Sequence, residues 1–452
     1  MNPNIFREYD IRGTYPESIN ETVAYTIGRS YGSYLKEKLE QTTCIVSHDN
    51  RLSSPSLAAY LIKGITDSGL NVFNYGLTTT PMHYYARYIH NLFGIMVTAS
   101  HNPKDDNGFK FSFDNLANAR GKMIEDFKNY TFEGKFLSGV GTVSSGNITE
   151  KYVEYLRYGI ELGNKKCKVI VDLGNGSTSI IARKILEKLN IDFDILFEEN
   201  DGRFPNHHPD PIVEENLEAL KNAVIKNKAD CGIAFDGDGD RIGVVNELGQ
   251  VIPTDHYMIL IIRDMINKVK NKSFLYDVKC SKALEDEIKR LGGSPICYRT
   301  GASYTQAQTK ELDLPFGGEY SGHVYFRDKI ADVGSGIYAG LRLIEILSKT
   351  NQPLSTLLAD IPKYHSTPEI KFASTDEMKF VVVKKIKEFC LNQKWVINTI
   401  DGVRVSFSTG WALVRASNTG PNITMRCEAE TIEGLNNLKT IFTNLINTYN
   451  KK

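Results

Sequence analysis

The stretch Leu92-Phe93-Gly94-Ile95-Met96-Val97-Thr98-Ala99-Ser100-His101-Asn102-Pro103 passes from an apolar run into a small polar turn. Leu92 to Val97 reads as a buried strand; Thr98, Ser100 and Asn102 stop it, and Pro103 forbids a simple continuation. A serine so placed lies at the carboxyl end of a strand, where open α/β sheets form their ligand crevices. The same residues also make an ordinary strand-ending turn with a capping serine, so their weight depends on the rest of the chain.

The pattern recurs. Cys44-Ile45-Val46 ends in Ser47-His48-Asp49-Asn50-Arg51 before the Ser100 strand. Val169-Ile170-Val171 runs into Asp172-Leu173-Gly174-Asn175-Gly176, and Cys231 to Phe235 runs into Asp236-Gly237-Asp238-Gly239-Asp240-Arg241. Phe274-Leu275-Tyr276 leads to Asp277-Val278-Lys279-Cys280-Ser281, and Leu314-Pro315-Phe316 enters Gly317-Gly318-Glu319-Tyr320-Ser321-Gly322-His323. Between paired strands lie helical spacings such as Leu217, Leu220, Val224 and Leu284, Ile288, Leu291, the latter stopped by Gly292-Gly293. The three strand-to-strand intervals are about 49, 64 and 40 residues, too unequal for a solenoid. They predict an α/β protein: three similar mixed α/β domains, each sending one reactive loop to a central cleft.

The tail differs. Met378, Val382, Ile386 and Phe389 form a helical stripe, Asp401-Gly402 is a hairpin turn, and Val403–Phe407, Trp411–Val414 and Ile423–Met425 read as strands before a last helix. This predicts a smaller C-terminal α+β domain. The expected division is 1–146, 147–250, 251–366 and 367–452, the first boundary lying in the polar stretch 142–147. Asn107-Gly108 is a tight-turn signal expected to fold Lys110 back toward Ser100.

A chain of 452 residues is too long for one hydrophobic core. With 54 basic and 54 acidic residues its formal charge is zero, which gives no footing for a nucleic-acid or membrane partner. No apolar run is long enough to span a membrane, and Met1-Asn2-Pro3-Asn4 does not begin a signal peptide. Seven cysteines without a C-x-x-C pair read as reduced thiols of a cytoplasmic protein.

The loops supply the chemistry. Asp236, Asp238 and Asp240 are three carboxylates separated only by glycine, a set that repels itself without a cation. Oxygen ligands alone select a hard ion. An EF-hand would also begin this way, with Glu247 at its twelfth position, but Arg241 stands where its glycine belongs and the flanks read as strands. That leaves Mg²⁺ with a coordination position open to a phosphate oxygen. Arg415-Ala416-Ser417-Asn418-Thr419-Gly420 offers a guanidinium, hydroxyls and an amide to a phosphate dianion. Glu319, Ser321 and His323 offer donors and acceptors to sugar hydroxyls. Lys110 and Arg12 could serve phosphoryl oxygens or proton transfer, the latter only if nearby cations depress the lysine pKa. A nucleophilic serine, a hard-metal loop, a polyol loop and a phosphate loop are together the inventory of phosphoryl transfer.

Nearly the whole chain resembles the α-D-phosphohexomutase family, in its phosphomannomutase/phosphoglucomutase branch. Tyr9 to Gly13, Thr98 to Pro103, Asn107 to Lys110, Asp236 to Arg241, Gly318 to His323 and Arg415 to Thr419 carry the resemblance, in order. It implies that Ser100 carries the phosphoryl group, with His101, Lys110 and Arg12 beside it. It implies Mg²⁺ held by Asp236, Asp238, Asp240 and the phosphate on Ser100, and a hexose 1,6-bisphosphate as primer and intermediate. Glu319 and Ser321 would contact the sugar's O3 and O4. Arg415, Ser417, Asn418 and Thr419 would hold the phosphate that is not reacting, and Tyr9, Arg241, Lys279 and His323 would line the cleft. The expected partner is a phosphosugar, and the expected state a monomer or weak dimer. The other readings are a phosphoglucosamine mutase, a phosphosugar phosphatase and a phosphosugar-binding protein without catalysis. Two positions depart from the family pattern: Ala302 where relatives often place a histidine, and Gly420 where they often place a glutamate.

Overall fold

The computed structural model describes residues 1–417 and 420–451. Its first sheet runs in the order Ile11–Thr14, Asp106–Phe111, Gly94–Val97, Thr43–His48, Asn71–Leu77, Val143–Ser145. The second runs Val251–Ile252, Ile242–Asn246, Cys231–Phe235, Lys168–Asp172, Asp192–Leu196, and the third Ser294–Tyr298, Ser273–Asp277, Phe316–Gly318, Val324–Phe326. The sheets share a four-stranded unit: two parallel neighbours flank a first strand, and a fourth strand pairs antiparallel with one of them. In each, the hairpin joining the last two strands carries a loop singled out above. Ser100 follows Gly94–Val97, Asp236 to Arg241 joins Cys231–Phe235 to Ile242–Asn246, and Glu319 to His323 joins Phe316–Gly318 to Val324–Phe326.

One local expectation changes. Asn107-Gly108 is not a turn; both residues lie inside Asp106–Phe111, paired with Ile11–Thr14. The glycine is there for close approach: a Cβ at Gly108 would lie 2.1 Å from the Ile11 carbonyl oxygen. The turn falls earlier, closed by Asn102 N–H to the Ala99 carbonyl (3.0 Å) and Asp106 N–H to the Pro103 carbonyl (3.0 Å). Lys110 still returns toward Ser100, carried there by the antiparallel strand. The polar stretch near 142–147 includes a strand, Val143–Ser145, which extends the first sheet in parallel with Asn71–Leu77.

The final sheet is antiparallel, in the order His365–Ser366, Asn422–Ala429, Gly410–Ala416, Val403–Phe407, Val396–Asn398, with Ile370–Ala373 also on Asn422–Ala429. Side chains alternate across it. Val403, Val405, Ala412, Val414, Ile423, Met425 and Cys427 enter a core closed by the helices Met378–Asn392 and Ile432–Tyr449. The opposite face carries Arg404, Trp411, Arg415, Arg426 and Glu428, and it faces the third domain and the cleft. All seven cysteines are free.

Candidate active site

Thr98 stops the strand and turns its hydroxyl inward to accept from the Ser100 N–H at 2.8 Å. Ser100 adopts φ +54°, a left-handed conformation that costs a non-glycine residue about 1–2 kcal/mol. The kink aims the hydroxyl across a domain boundary, where Oγ donates to Asp236 Oδ2 at 2.7 Å. Gly237 lets the two loops meet, since a Cβ there would sit 2.7 Å from the Ser100 carbonyl oxygen.

The three aspartates are buried, with one carboxylate oxygen from each within 4.8 Å of the others. Asp236 Oδ1 accepts the N–H groups of Asp240 and Arg241, both at 3.0 Å. Asp238 Oδ2 accepts from Thr80 Oγ1 at 2.6 Å and Lys110 Nζ at 2.8 Å, and Lys110 also reaches Asp240 Oδ2 at 2.7 Å. Oδ1 of Asp238 and of Asp240 is buried without a hydrogen-bond partner among the described residues. Oxygen donors only, buried and partly unpartnered, fit a hard divalent cation. The flanks are strands, and Glu247 hydrogen-bonds Ser355 instead, so the loop is no EF-hand.

Burial and the two neighbouring carboxylates push Asp236 well above the ordinary carboxylate range. Burial would raise Asp238 too, but the Lys110 charge and hydrogen bond bring it below that range. Burial opposes the Lys110 charge, yet Asp238 and Asp240 hold its pKa well above the usual value. Its neighbours are therefore acids where sequence reasoning looked for cations, and Lys110 stands as a fixed positive charge.

Arg12 donates to Asp10 Oδ2 at 2.6 Å and to Asn102 Oδ1 at 2.7 Å, which places it over the serine turn. His101 Nδ1 lies 3.3 Å from Ser100 Oγ. Burial, then the charges of Arg241 and Arg12, take its pKa well below the ordinary value. His323 Nε2 faces Arg241 Nε at 3.1 Å; burial outweighs Asp240 and brings this imidazole down to about 4. Both rings are neutral near pH 7.

Glu319 Oε1 accepts from Gly301 N–H at 2.9 Å and Thr305 Oγ1 at 2.5 Å, while Oε2 accepts from Ser321 at 3.1 Å. Burial and Asp277 raise its pKa. Lys279 Nζ lies 3.4 Å from Glu369, and Arg415 Nε donates to Asp401 Oδ2 at 3.0 Å, while Arg415 Nη2 is buried without a hydrogen-bond partner among the described residues. Tyr9, Arg12, Ser100, His101, Lys110, Arg241, Lys279, Glu319, Ser321, His323, Arg415 and Ser417 all line one cleft of about 400 Å³. Asn418 and Thr419 lie outside the described residues. Ala302 lines the cleft and Gly420 its rim. The aspartates lie beneath, reached through Ser100 and Lys110.

Sequence reasoning passed over Arg51. Its side chain is wholly buried, and its guanidinium donates to the carbonyls of Ser100 and Asn102 (2.7 Å each), Pro103 (2.5 Å) and Asp106 (3.0 Å). It holds the entire serine turn from behind. Its only signal was a charged residue at a strand end beside Asp49, a pattern shared with many solvated turns.

Comparison with known proteins matches four domain models in succession. They are phosphoglucomutase/phosphomannomutase alpha/beta/alpha domain I at residues 3–137, domain II at 150–249, domain III at 253–364 and the C-terminal domain at 369–445. The chain is 39% identical over 444 residues to a phosphomannomutase/phosphoglucomutase of Pseudomonas aeruginosa, covering 98% of this chain and 95% of that one. It is 37% identical over 450 residues to a phosphoglucomutase of Neisseria gonorrhoeae, covering 97% and 96%. The crystal structure of a phosphoglucomutase/phosphomannomutase family protein from Burkholderia thailandensis superposes with a TM-score of 0.91 at 33% identity, covering 99% of this chain and 98% of that one.

Proposed function

The chain belongs to the phosphoglucomutase/phosphomannomutase family, and from that premise we propose the chemistry of its cleft residue by residue. It is a phosphohexomutase; on this reading it interconverts hexose 1-phosphates and hexose 6-phosphates through a bisphosphate and a phosphoserine. One observation carries the assignment of Ser100: a strained serine hydroxyl 2.7 Å from an aspartate of the buried triad, in a cleft shared with Arg415.

Asp236, Asp238 and Asp240 would hold Mg²⁺ together with an oxygen of the phosphate on Ser100. Bound there, the ion supplies a Lewis acid for the transferring phosphoryl group. Arg12 and Lys110 add positive charge around that group, where phosphoryl transfer spreads its negative charge. As the bond from phosphorus to Ser100 Oγ breaks, a bond to O6 of a hexose 1-phosphate forms. The O6 proton ends on Ser100 Oγ, and neutral His101, 3.3 Å from that oxygen, is placed to carry it.

A single nucleophile must then meet the other end of the sugar. The 1,6-bisphosphate turns over in the cleft and returns its O1 phosphoryl group to Ser100. Arg415 and Ser417 receive whichever phosphate is not reacting. Glu319 and Ser321 accept and donate to hydroxyls presented alike in both poses. Reading only those hydroxyls leaves C2 free, so mannose and glucose both serve.

The test is to supply the protein with Mg²⁺, a hexose 1,6-bisphosphate primer and, in separate reactions, the 1-phosphates of mannose, glucose and glucosamine. The 6-phosphates of mannose and glucose are expected. No product from any of the three would overturn the mutase assignment.

A further inference from the structure

A second cavity, of about 350 Å³, shares Tyr84 with the catalytic cleft and lies on its far side. Its walls come from two domains. The helix Thr80–His90 and the Asn115–Ala117 loop belong to the first; the helix Ala302–Glu311 and the loop from Arg327 to Asp332 belong to the third.

Three cations line it with hydrogen-bonding capacity left over. Lys310 Nζ makes no hydrogen bond to any described residue, and its nearest acid, Asp332 Oδ2, is 3.8 Å away. The Nε groups of Arg87 and Arg327 are buried and unpartnered among the described residues. The other Arg87 nitrogens are held by Asn118 Oδ1 at 2.9 Å and by the Asp114 and Ala117 carbonyls at 3.3 Å, which fixes the guanidinium in place. Arg327 is anchored through Nη2 to Asp313, itself solvent-exposed.

The acid facing the cavity is already engaged: Asp332 accepts from Gln306 Nε2 and from the Gly334 N–H, both at 2.9 Å. Burial, opposed by Asp332 and Asp114 but reinforced by Arg87 and Arg327, lowers the Lys310 pKa, the cost of a cation short of counter-charge. An arriving anion relieves that cost. The remaining lining includes Tyr84, Tyr88 and the amides of Asn91 and Asn115, which share one hydrogen bond at 3.0 Å and keep further donors and acceptors that suit a polyol more than a bare ion.

We infer that this cavity is a second binding site for a phosphorylated sugar, its phosphate among Arg87, Lys310 and Arg327 and its hydroxyls toward the amides. The site joins the first domain to the third and borders the cleft through Tyr84, over whose ring the Arg87 guanidinium lies at 5.6 Å. Its occupant therefore ties the two domains together and bears on a wall of the catalytic site.

Calorimetric titration tests this on the full chain carrying Ser100→Ala, which cannot turn substrate over. Glucose 6-phosphate should bind at two sites per chain. Lys310→Ala or Arg327→Gln, added singly, should weaken one site at least tenfold and leave the other unchanged. A single site before those changes, or two sites that neither change weakens threefold, overturns the inference. Arg327→Gln, at a side chain one quarter exposed, guards against misfolding of the Lys310 variant, and both are checked by melting. A parallel titration with inorganic phosphate separates recognition of the sugar from recognition of the anion. Second-site binding of inorganic phosphate as tight as that of glucose 6-phosphate overturns the sugar part of the assignment; weaker binding supports it. The mutase assignment stands or falls separately, on turnover by the unmodified enzyme.

Discussion

Ile45, Val169, Ile233, Phe274 and Leu341 belong to one apolar cluster that runs from one face of the first domain through the third, while Val97, Phe109 and Phe111 close a separate core on the first domain's other face. Val405, Met425 and Phe442 belong to another, closed within the fourth. Between the two lies a seam with a small apolar patch, Val278, Trp411 and Leu413. The rest of the seam is polar. Arg404 donates to the Val278 carbonyl at 3.1 Å, Arg426 to the Lys279 carbonyl, the Lys282 N–H to Glu428 at 2.9 Å and the Thr300 N–H to Asp401 at 3.0 Å. A continuous core stabilises in proportion to area and resists sliding, because interiors are packed like crystals. A seam of directional bonds, each with one charged partner, contributes about 1.5–3 kcal/mol per bond and can exchange those partners for water when the domains part. The two regions divide the task accordingly: the cored body fixes Ser100, the triad and Glu319, and the seamed domain brings Arg415.

The largest effect should come from the body's chemistry. Ser100→Ala should lower kcat by more than about 10⁴-fold while phosphosugar affinity stays within a few-fold. Equal losses of binding and turnover, read by calorimetry beside the assay, would erase the division. Next is Arg51→Ala. It removes the counter-charge of buried Asp49 and a donor to four carbonyls, for about 3–5 kcal/mol of body stability. Denaturant melts should show the fourth domain's transition unmoved, and Arg51→Lys should regain the charge without regaining kcat. A shared shift of both transitions would mean the seam couples the regions more tightly than its bonds imply.

Arg415→Gln should act from the other side. It should cost about 2–3 kcal/mol in kcat/KM, chiefly through KM, since charge-assisted bonds to phosphate are worth about that much. A loss confined to kcat would place Arg415 in the chemistry and not the grip. The smallest effect concerns pH. Burial, helped by Arg87 and Lys110, takes the His83 pKa well below its usual value, and its Nε2 is buried without a hydrogen-bond partner among the described residues. The unfolded chain binds a proton near pH 6.5 that the folded body refuses. Stability should therefore fall as pH drops below about 6.5, by about 1.4 kcal/mol per pH unit for this group. His83→Gln should flatten part of that slope. Residues 367–452 contain no histidine, so the fourth domain's melting should hold steady over the same range.

The Cys231–Phe235 strand and its aspartate loop were legible because both signals are local: a run of apolar residues, then charges that cannot coexist without a cation. The same holds for the Ser100 turn and for the alternating strands of the tail. Arg51 was not legible, because a lone arginine at a strand end looks the same whether water or a ring of carbonyls surrounds it. Asn107-Gly108 misled for a related reason. Glycine serves turns and close strand contacts equally, and the choice rests on Ile11, far away along the chain.

The helix Gly336–Ser348 lies in sequence beyond the third sheet, yet it packs on the second, with Gly340 against Ile233 and the Gly336 N–H on the Gly239 carbonyl at 3.0 Å. Its chain position gives no hint of that crossing. The sequence by itself determined the strands, the reactive loops and their order, since period, turn chemistry and charge are properties of neighbours. Only the tertiary structure decided which faces meet. Arg51 behind the serine, Lys110 between the aspartates and the polar seam under the fourth domain all depend on pairings between distant segments, whose energies exist only once the chain has folded.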